Sequence, residues 1–275
     1  MTNVDPEDER DWTRQHEWLT SKINDFHRVF LARVEEVLTW AIVSGHREGE
    51  NPARWQGNLK EMLAAPAKLK KKDGHPALSL VDAPRWFAKL TSMEGAGSRA
   101  LEFLTLTTGR SGEVRGATWD EIDLNAAVWV VPGARMKADR EHRVPLTPRM
   151  IALIKAMPRM QGSDYVFAAA RGGQLSDMTL SAAMKRMHEG AIKEGGIGYL
   201  DPRSGKPAVP HGLRSTFRDW AAEMTNYPRD MAEMALAHFI GSDVESAYRR
   251  GDMLEKRREM MIAWERFLVA HEGGV

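Results

Sequence analysis

The segment VPHGLRSTFRDW, Val209 to Trp220, sets an imidazole and a guanidinium three residues apart. On a helix that starts near His211, His211 and Arg214 point the same way, with Arg218 one turn further on. Leu213, Phe217 and Trp220 form an apolar stripe that buries the other side. A guanidinium is a planar, permanently charged fork that fits two phosphate oxygens, and an imidazole moves a proton near neutral pH. The pairing suits a protein that grips a phosphodiester and does chemistry on it. Standing alone, it also fits a helix-start histidine beside a surface arginine.

Four further features join that pair. Arg110 lies on a turn with Glu113 one helical step away, which would orient the guanidinium through a charge-assisted pair. Lys137 falls at a hairpin tip, where a flexible amine can reach a leaving oxygen as general acid. His238 is expected to end a helix whose inward residues are Met231, Met234 and Ala235, and a helix C-terminus favours the protonated imidazole. Tyr248 follows in SAYRR, directly before two arginines. Singly, these are also readable as an ion pair, a solvated lysine, a capping histidine and a buried ring. Jointly they share one chemical logic. Two arginines neutralise the non-bridging oxygens of a pentacoordinate phosphorus, two histidines and a lysine move protons, and a phenol attacks. The chain lacks the carboxylate clusters that metal nucleases use, so neither metal nor cofactor is expected.

These side chains need elements to hold them. Helical periodicity marks residues 10–22 weakly and 24–44 strongly, the latter through Phe26, Val29, Phe30, Val34, Val37, Leu38 and Ala41, with Gly45 as its stop. One more short helix carries Leu59, Met62 and Leu63. PAKLKKKDGHPAL has the composition of a basic linker and sets a boundary between residues 1–72 and 73–275. Beyond it, helices are expected from an Asp82 cap through Leu90, at 98–107, 148–158, 177–193, 211–224, 229–238 and 253–270. Val128–Val131 and His142–Leu146 have strand character and form a hairpin with a basic tip, and Tyr165–Phe167 is a short extended piece. The fold class is therefore α+β, mainly α, with a small antiparallel sheet.

Composition narrows the field further. The chain has 275 residues, 43% hydrophobic and 28% charged, enough for a buried core in about two domains. It contains no cysteine, which removes disulfide frameworks and thiolate chemistry. No apolar run nears the roughly 20 residues of a membrane span, and the acidic start lacks a secretory h-region. A reducing cytoplasm is the expected location. The net charge is only +1, yet basic residues gather in groups. These are Lys68 with Lys70, Lys71 and Lys72; Arg135 with Lys137, Arg140 and Arg143; and Arg249 with Arg250, Lys256, Arg257 and Arg258. Flanking the candidate site, they would line a track for phosphates.

Arg110, Lys137, His211 with Arg214, His238 and Tyr248, in that order, resemble the tyrosine recombinases of the phage integrase family. The wording of ENPARW, RSGEVRGATWDEIDL, RMKADREHRVPL and AYRRGDMLEKRREMMIAW is similar to prophage integrases of the satellite-phage type. Two details depart from the commoner pattern: glycine directly precedes Arg110, and Tyr248 comes ten positions after His238 where nine is commoner. The resemblance implies an integrase-like catalytic domain over 73–275, preceded by a partial helical core-binding module without the family's arm-site domain. It implies DNA strand exchange for prophage integration or excision through a 3′-phosphotyrosine. Tyr248 would be nucleophile, Arg110 and Arg214 the phosphate clamp, and Lys137 general acid. His211 would assist proton transfer and His238 support the transition state. Implied partners are double-stranded attachment-site DNA, further copies in a tetramer, and an accessory DNA-bending protein or excisionase. Rival readings are a truncated DNA-binding remnant that modulates a full-length integrase without cutting, and a relaxing enzyme of the type IB topoisomerase kind. The final helix carries Leu254, Met261, Trp264 and Leu268 on one stripe, with Lys256, Arg258, Glu259 and Glu265 away from it. Either that stripe packs on its own domain, or, as in the family, the tail docks on a neighbouring protomer.

Overall fold

The computed structural model describes residues 32–54, 74–136, 139–238 and 251–270. The chain divides into two compact units, Met1–Asp73 and Gly74–Val275. In the first, α1 spans Ala32–Val43. Gly45 stops it with φ +72°, a conformation glycine adopts without a steric penalty. The turn that follows folds back on the helix, where Asn51 Nδ2 donates to Glu35 O and Thr39 Oγ1, both at 2.8 Å. Of the expected apolar stripe, Val34, Leu38 and Ala41 are partly covered, while Val37 is exposed. The helices expected at 10–22 and around Leu59 lie outside the described residues, as does the Lys68–Lys72 group.

The second unit is built around α3, Ala96–Thr107. From Ala100 to Thr107 every residue of this helix is buried, because α2 (Ala83–Thr91), α4 (Ser111–Arg115), α5 (Pro148–Ala156), α6 (Thr179–Lys193) and α9 (Leu254–Val269) all pack on it. A helix surrounded on all sides must be apolar or internally paired all round. Accordingly, Thr105 and Thr107 turn their hydroxyls onto the carbonyls of Leu101 and Phe103, and the buried Glu102 takes Arg99 at 2.6 Å. Two more helices, α7 (Gly212–Glu223) and α8 (Arg229–Ala235), carry candidate site residues.

The hairpin forms as its alternation implies. Strands β2, Val128–Val131, and β3, His142–Pro145, pair antiparallel with Val131 opposite His142. Sequence reasoning missed a third strand, β1 (Ile122–Asp123), which pairs Ile122 with Trp129 and gives the order β1-β2-β3. Two residues are too few to show a period. Tyr165 makes an isolated antiparallel bridge to Thr118.

Three local expectations need correcting. Asp82 precedes α2, but its carboxylate accepts from Ser79 Oγ at 2.8 Å and Arg85 at 3.0 Å, not from a helix N–H. Helix α8 ends at Ala235, so His238 lies beyond it, after Ala237 turns to φ +48°. The third correction concerns the basic groups. Arg257 is buried, Arg258 donates to the carbonyls of Ala126, Ala127 and Leu146, and Arg135 pairs with the buried Glu121. These arginines hold the fold together rather than lining its surface.

The last helix settles the question posed by its stripe. Trp264 is 1% exposed within its own unit, donating Nε1–H to Thr105 O at 2.9 Å. Its ring lies 5.1 Å from that of Trp220 and 5.4 Å, edge-on, from that of Phe217. An indole so enclosed packs in cis and is no anchor for a neighbouring protomer. No helix among the described residues is long and apolar enough to cross a membrane.

Candidate active site

Arg110 is placed by the end of α3. Thr108 terminates that helix in the left-handed region, φ +57°, which turns the chain and aims the Thr108 carbonyl inward. Gly109 fits the corner that follows, since a Cβ there would come within 3.0 Å of Val114 and 3.4 Å of Trp129. Arg110 then begins α4, and the buried Glu113 closes on it twice. One carboxylate oxygen takes the Arg110 backbone N–H at 2.9 Å, the other takes Nη1 at 2.6 Å. The pairing expected from the spacing is thus present, and it leaves the guanidinium partly exposed.

Arg214 rises from the first turn of α7 and is 4% exposed. Nη1 donates to Thr108 O, and Nη2 donates to Leu236 O and faces His238 Nε2 at 3.2 Å. Arg110 reaches the same loop, donating Nη2–H to Ala237 O at 3.2 Å. The two arginines are therefore stitched to one short stretch, 235–238, which Thr108 Oγ1 also meets at Ala235 O, 3.4 Å. Burial and the neighbouring Arg110 charge pull the Arg214 pKa down to about 10, which leaves it charged at neutral pH.

His238 completes this arrangement. Its Nδ1 lies 2.6 Å from Glu233 Oε2, and a proton there leaves Nε2 to accept from Arg214. Glu233 also accepts from Arg218 Nε at 2.8 Å. Burial alone would raise its pKa, but the His238 hydrogen bond and the Arg218 charge hold it below the usual carboxylate value.

His211 caps α7 on the same side of the molecule. Burial, then His75, Arg214, Arg110 and His238, push its pKa down to about 4, so it is a neutral proton acceptor at physiological pH. Four of the six expected residues are thus brought together: Arg110, His211, Arg214 and His238. Lys137 and Tyr248 lie outside the described residues.

Residues 86–255 match the Phage integrase family. The chain belongs to that family. It is 36% identical over 172 residues to the prophage integrase IntA of Escherichia coli (strain K12), covering 62% of this chain and 38% of that protein. It is 30% identical over 240 residues to the integrase of Shigella phage Sf6, covering 86% of this chain and 57% of that one. The chain thus spans about half the length of the curated relatives it matches. Among solved structures, it resembles the Tn1549 transposon integrase bound to circular-intermediate DNA, with a TM-score of 0.51 at 14% identity, covering 94% of this chain and 85% of that one. It also resembles a lambda integrase dimer bound to a core site, with a TM-score of 0.50 at 20% identity, covering 76% and 70%. At such identities these likenesses establish the integrase fold. All six candidate residues fall inside the matched span.

Three residues of this integrase-family site were not anticipated. Glu233 orients His238 across a turn, His75 packs its ring at a tilt against His211, and His142 opens β3 beside the arginines. Burial, then Arg257, lower the His142 pKa to about 4, against the raising influence of Glu113 and a hydrogen bond to the Ala235 backbone. One hint existed for His142: it follows shortly after the hairpin tip that carries Lys137. His75 had none, since its partner meets it only in the folded chain, and Glu233 lies five residues before His238, outside any regular helical spacing.

Proposed function

We propose that this chain is a site-specific DNA recombinase that integrates or excises a prophage through a covalent phosphotyrosine. The observation that carries the reading is the convergence of Arg110 and Arg214 on the 235–238 loop, next to a neutral His211. Two guanidiniums held by fixed partners form a preorganised clamp for the non-bridging oxygens of a scissile phosphate. Tyr248 Oη attacks the phosphorus and His211 assists removal of its proton. The bond to the 5′ oxygen breaks, and Lys137 protonates that leaving oxygen. The product is a 3′-phosphotyrosine with a free 5′-hydroxyl, and the reverse attack by another strand's hydroxyl rejoins the DNA. Glu113 and Glu233 fix the orientation of Arg110 and His238.

Residues 73–275 form the catalytic part in this reading, and residues 1–72 a partial core-binding module on DNA. Double-stranded attachment sites are the substrate, and a tetramer is the working assembly, in keeping with a lambda integrase tetramer bound to a Holliday junction. An excisionase or DNA-bending protein would set direction. The chain acts in the cytoplasm, where the chromosome is.

A nicked suicide duplex tests the reading, because cleavage beside the nick releases a short strand and traps the adduct. Tyr248→Phe is expected to abolish the adduct and leave DNA binding unchanged, since it removes one nucleophilic oxygen and no charge. An adduct that persists in Tyr248→Phe moves the nucleophile, with Tyr227, whose ring lies 6.4 Å from that of Trp220, next to be tried. If the parent binds the duplex and forms no adduct, the non-cutting modulator is the better description.

A further inference from the structure

The second unit begins with a short strap that runs over the start of α7. Pro76 O accepts from Val209 N at 3.1 Å, and Leu78 O accepts from Thr216 Oγ1 at 2.7 Å. Leu78 itself is buried in the core. Between these two ties the strap lies directly on Gly212. A Cβ at that position would stand 1.8 Å from Pro76 O and 2.6 Å from its carbon. Backbone cannot yield as a flexible side-chain tip can, so the glycine between His211 and Leu213 is what lets the strap close. The strap in turn fixes where His75 sits.

His75 and His211 are both exposed, and their ring centroids lie 4.2 Å apart at an interplanar angle of 57°. We propose that His75 is a positioning residue for His211: its ring packs against the His211 imidazole and holds it in one rotamer. The proposal rests on the reading of His211 as the group that handles the phenol's proton. Two physical facts support it. A histidine on the first turn of a helix has several rotamers open to it unless something flat closes the others. Aromatic rings in tilted contact also gain attraction beyond the area they bury. The other charged or titratable groups that act on His211 are Arg214 of α7, Arg110 at the start of α4 and His238 after α8.

Two variants of the full chain, His75→Ala and His75→Phe, test the assignment with two readouts. The first is the titration midpoint of His211, followed by NMR of histidine-labelled protein without DNA. The second is the rate of adduct formation on a nicked duplex drawn from the DNA flanking the gene. In His75→Ala the imidazole loses the ring packed against it and should titrate closer to the ordinary histidine value of about 6.5. Adduct formation should slow about tenfold, in line with the cost of a misplaced catalytic group. His75→Phe keeps a flat ring without a proton, and should return both midpoint and rate most of the way to those of the parent. A residue that merely supported the strap would change thermal stability in both variants and leave the midpoint alone. An unchanged midpoint in His75→Ala, or a Phe variant as impaired as the Ala variant, overturns the proposal. Should the parent form no adduct at all, the recombinase reading fails, and the NMR arm still decides whether His75 positions His211.

Discussion

Two buried arginines, Arg214 in α7 and Arg257 in α9, invite comparison, because the fold treats them differently. Arg257 is 1% exposed and Arg214 is 4% exposed. Arg257 donates Nε–H to Asp252 O at 2.7 Å and Nη2–H to Arg143 O at 2.9 Å, with the Asp252 carboxylate at 3.3 Å. Its charge is answered inside the protein. Arg214 also donates to two carbonyls, but among the described residues no carboxylate lies within ion-pair distance of it. Nearby stands a second guanidinium, Arg110, whose own partner Glu113 is already engaged. The Nε of Arg214 is buried with no hydrogen-bond partner among the described residues. One arginine meets a carboxylate within the fold, and the other meets only carbonyls and an imidazole. A buried charge costs stability unless it is paired, so a protein keeps an incomplete one where function requires it.

This contrast is breakable by substitution. The largest effect is expected at the clamp. Arg214→Lys and Arg110→Lys should each slow adduct formation by about 10²–10³-fold, the scale for losing one preorganised transition-state donor. A lysine supplies a point charge without the two-oxygen fork. Cleavage at the parent's rate in either lysine variant removes the clamp assignment. Next comes the anchor. Arg257→Met strands two carbonyls and removes one of the Asp252 carboxylate's partners, and should cost about 2–4 kcal/mol in urea denaturation. Arg214→Met relieves repulsion from Arg110 as well as losing hydrogen bonds, and should stay within about 1 kcal/mol of the parent. Equal losses in the two methionine variants would show that the fold depends on both arginines alike.

Much of this architecture was legible because it rests on local periodicity. The β2–β3 hairpin, the stripe of α7 and the buried side of α9 all follow from residues a few positions apart. The Arg110–Glu113 pair is local in the same sense. What the sequence hid is long-range. Arg214 meets Thr108 O across 106 residues, and Arg258 meets Ala127 O across 131, so no spacing rule reaches either contact. For the same reason, a basic group looked like a phosphate track when Arg257 and Arg258 serve carbonyls within the fold. Asp82 was a different error, because a residue suited to capping found closer partners in Ser79 and Arg85. The His75–His211 contact belongs with the long-range class, being made by a linker against a helix 136 positions away.

An effect confined to acid pH comes from His142, which feels both arginines and so reports on the contrast itself. Burial and the Arg257 charge, with a lesser push from Arg214, hold its pKa at about 4 in the folded protein. The unfolded chain binds that proton near the ordinary value of about 6.5. The sign follows directly. Above pH 6.5 neither state holds the proton and His142 adds no pH dependence; between about 6.5 and 4 the unfolded state gains it first, so stability falls with falling pH. Full expression of the shift would be about 3 kcal/mol, and relaxation around the ring reduces this to about 1–2 kcal/mol. His142→Gln should therefore flatten the loss of stability between pH 7 and 4.5 by that amount, measured by urea denaturation at each pH. The residual slope includes His211, whose pKa is depressed the same way. Identical slopes in parent and variant would mean that His142 is more open to water than its surroundings imply. The same titration sharpens the comparison of the two arginines. Arg257→Met should let the His142 midpoint climb further than Arg214→Met does, because the Arg257 charge is the larger of the two lowering influences on that ring.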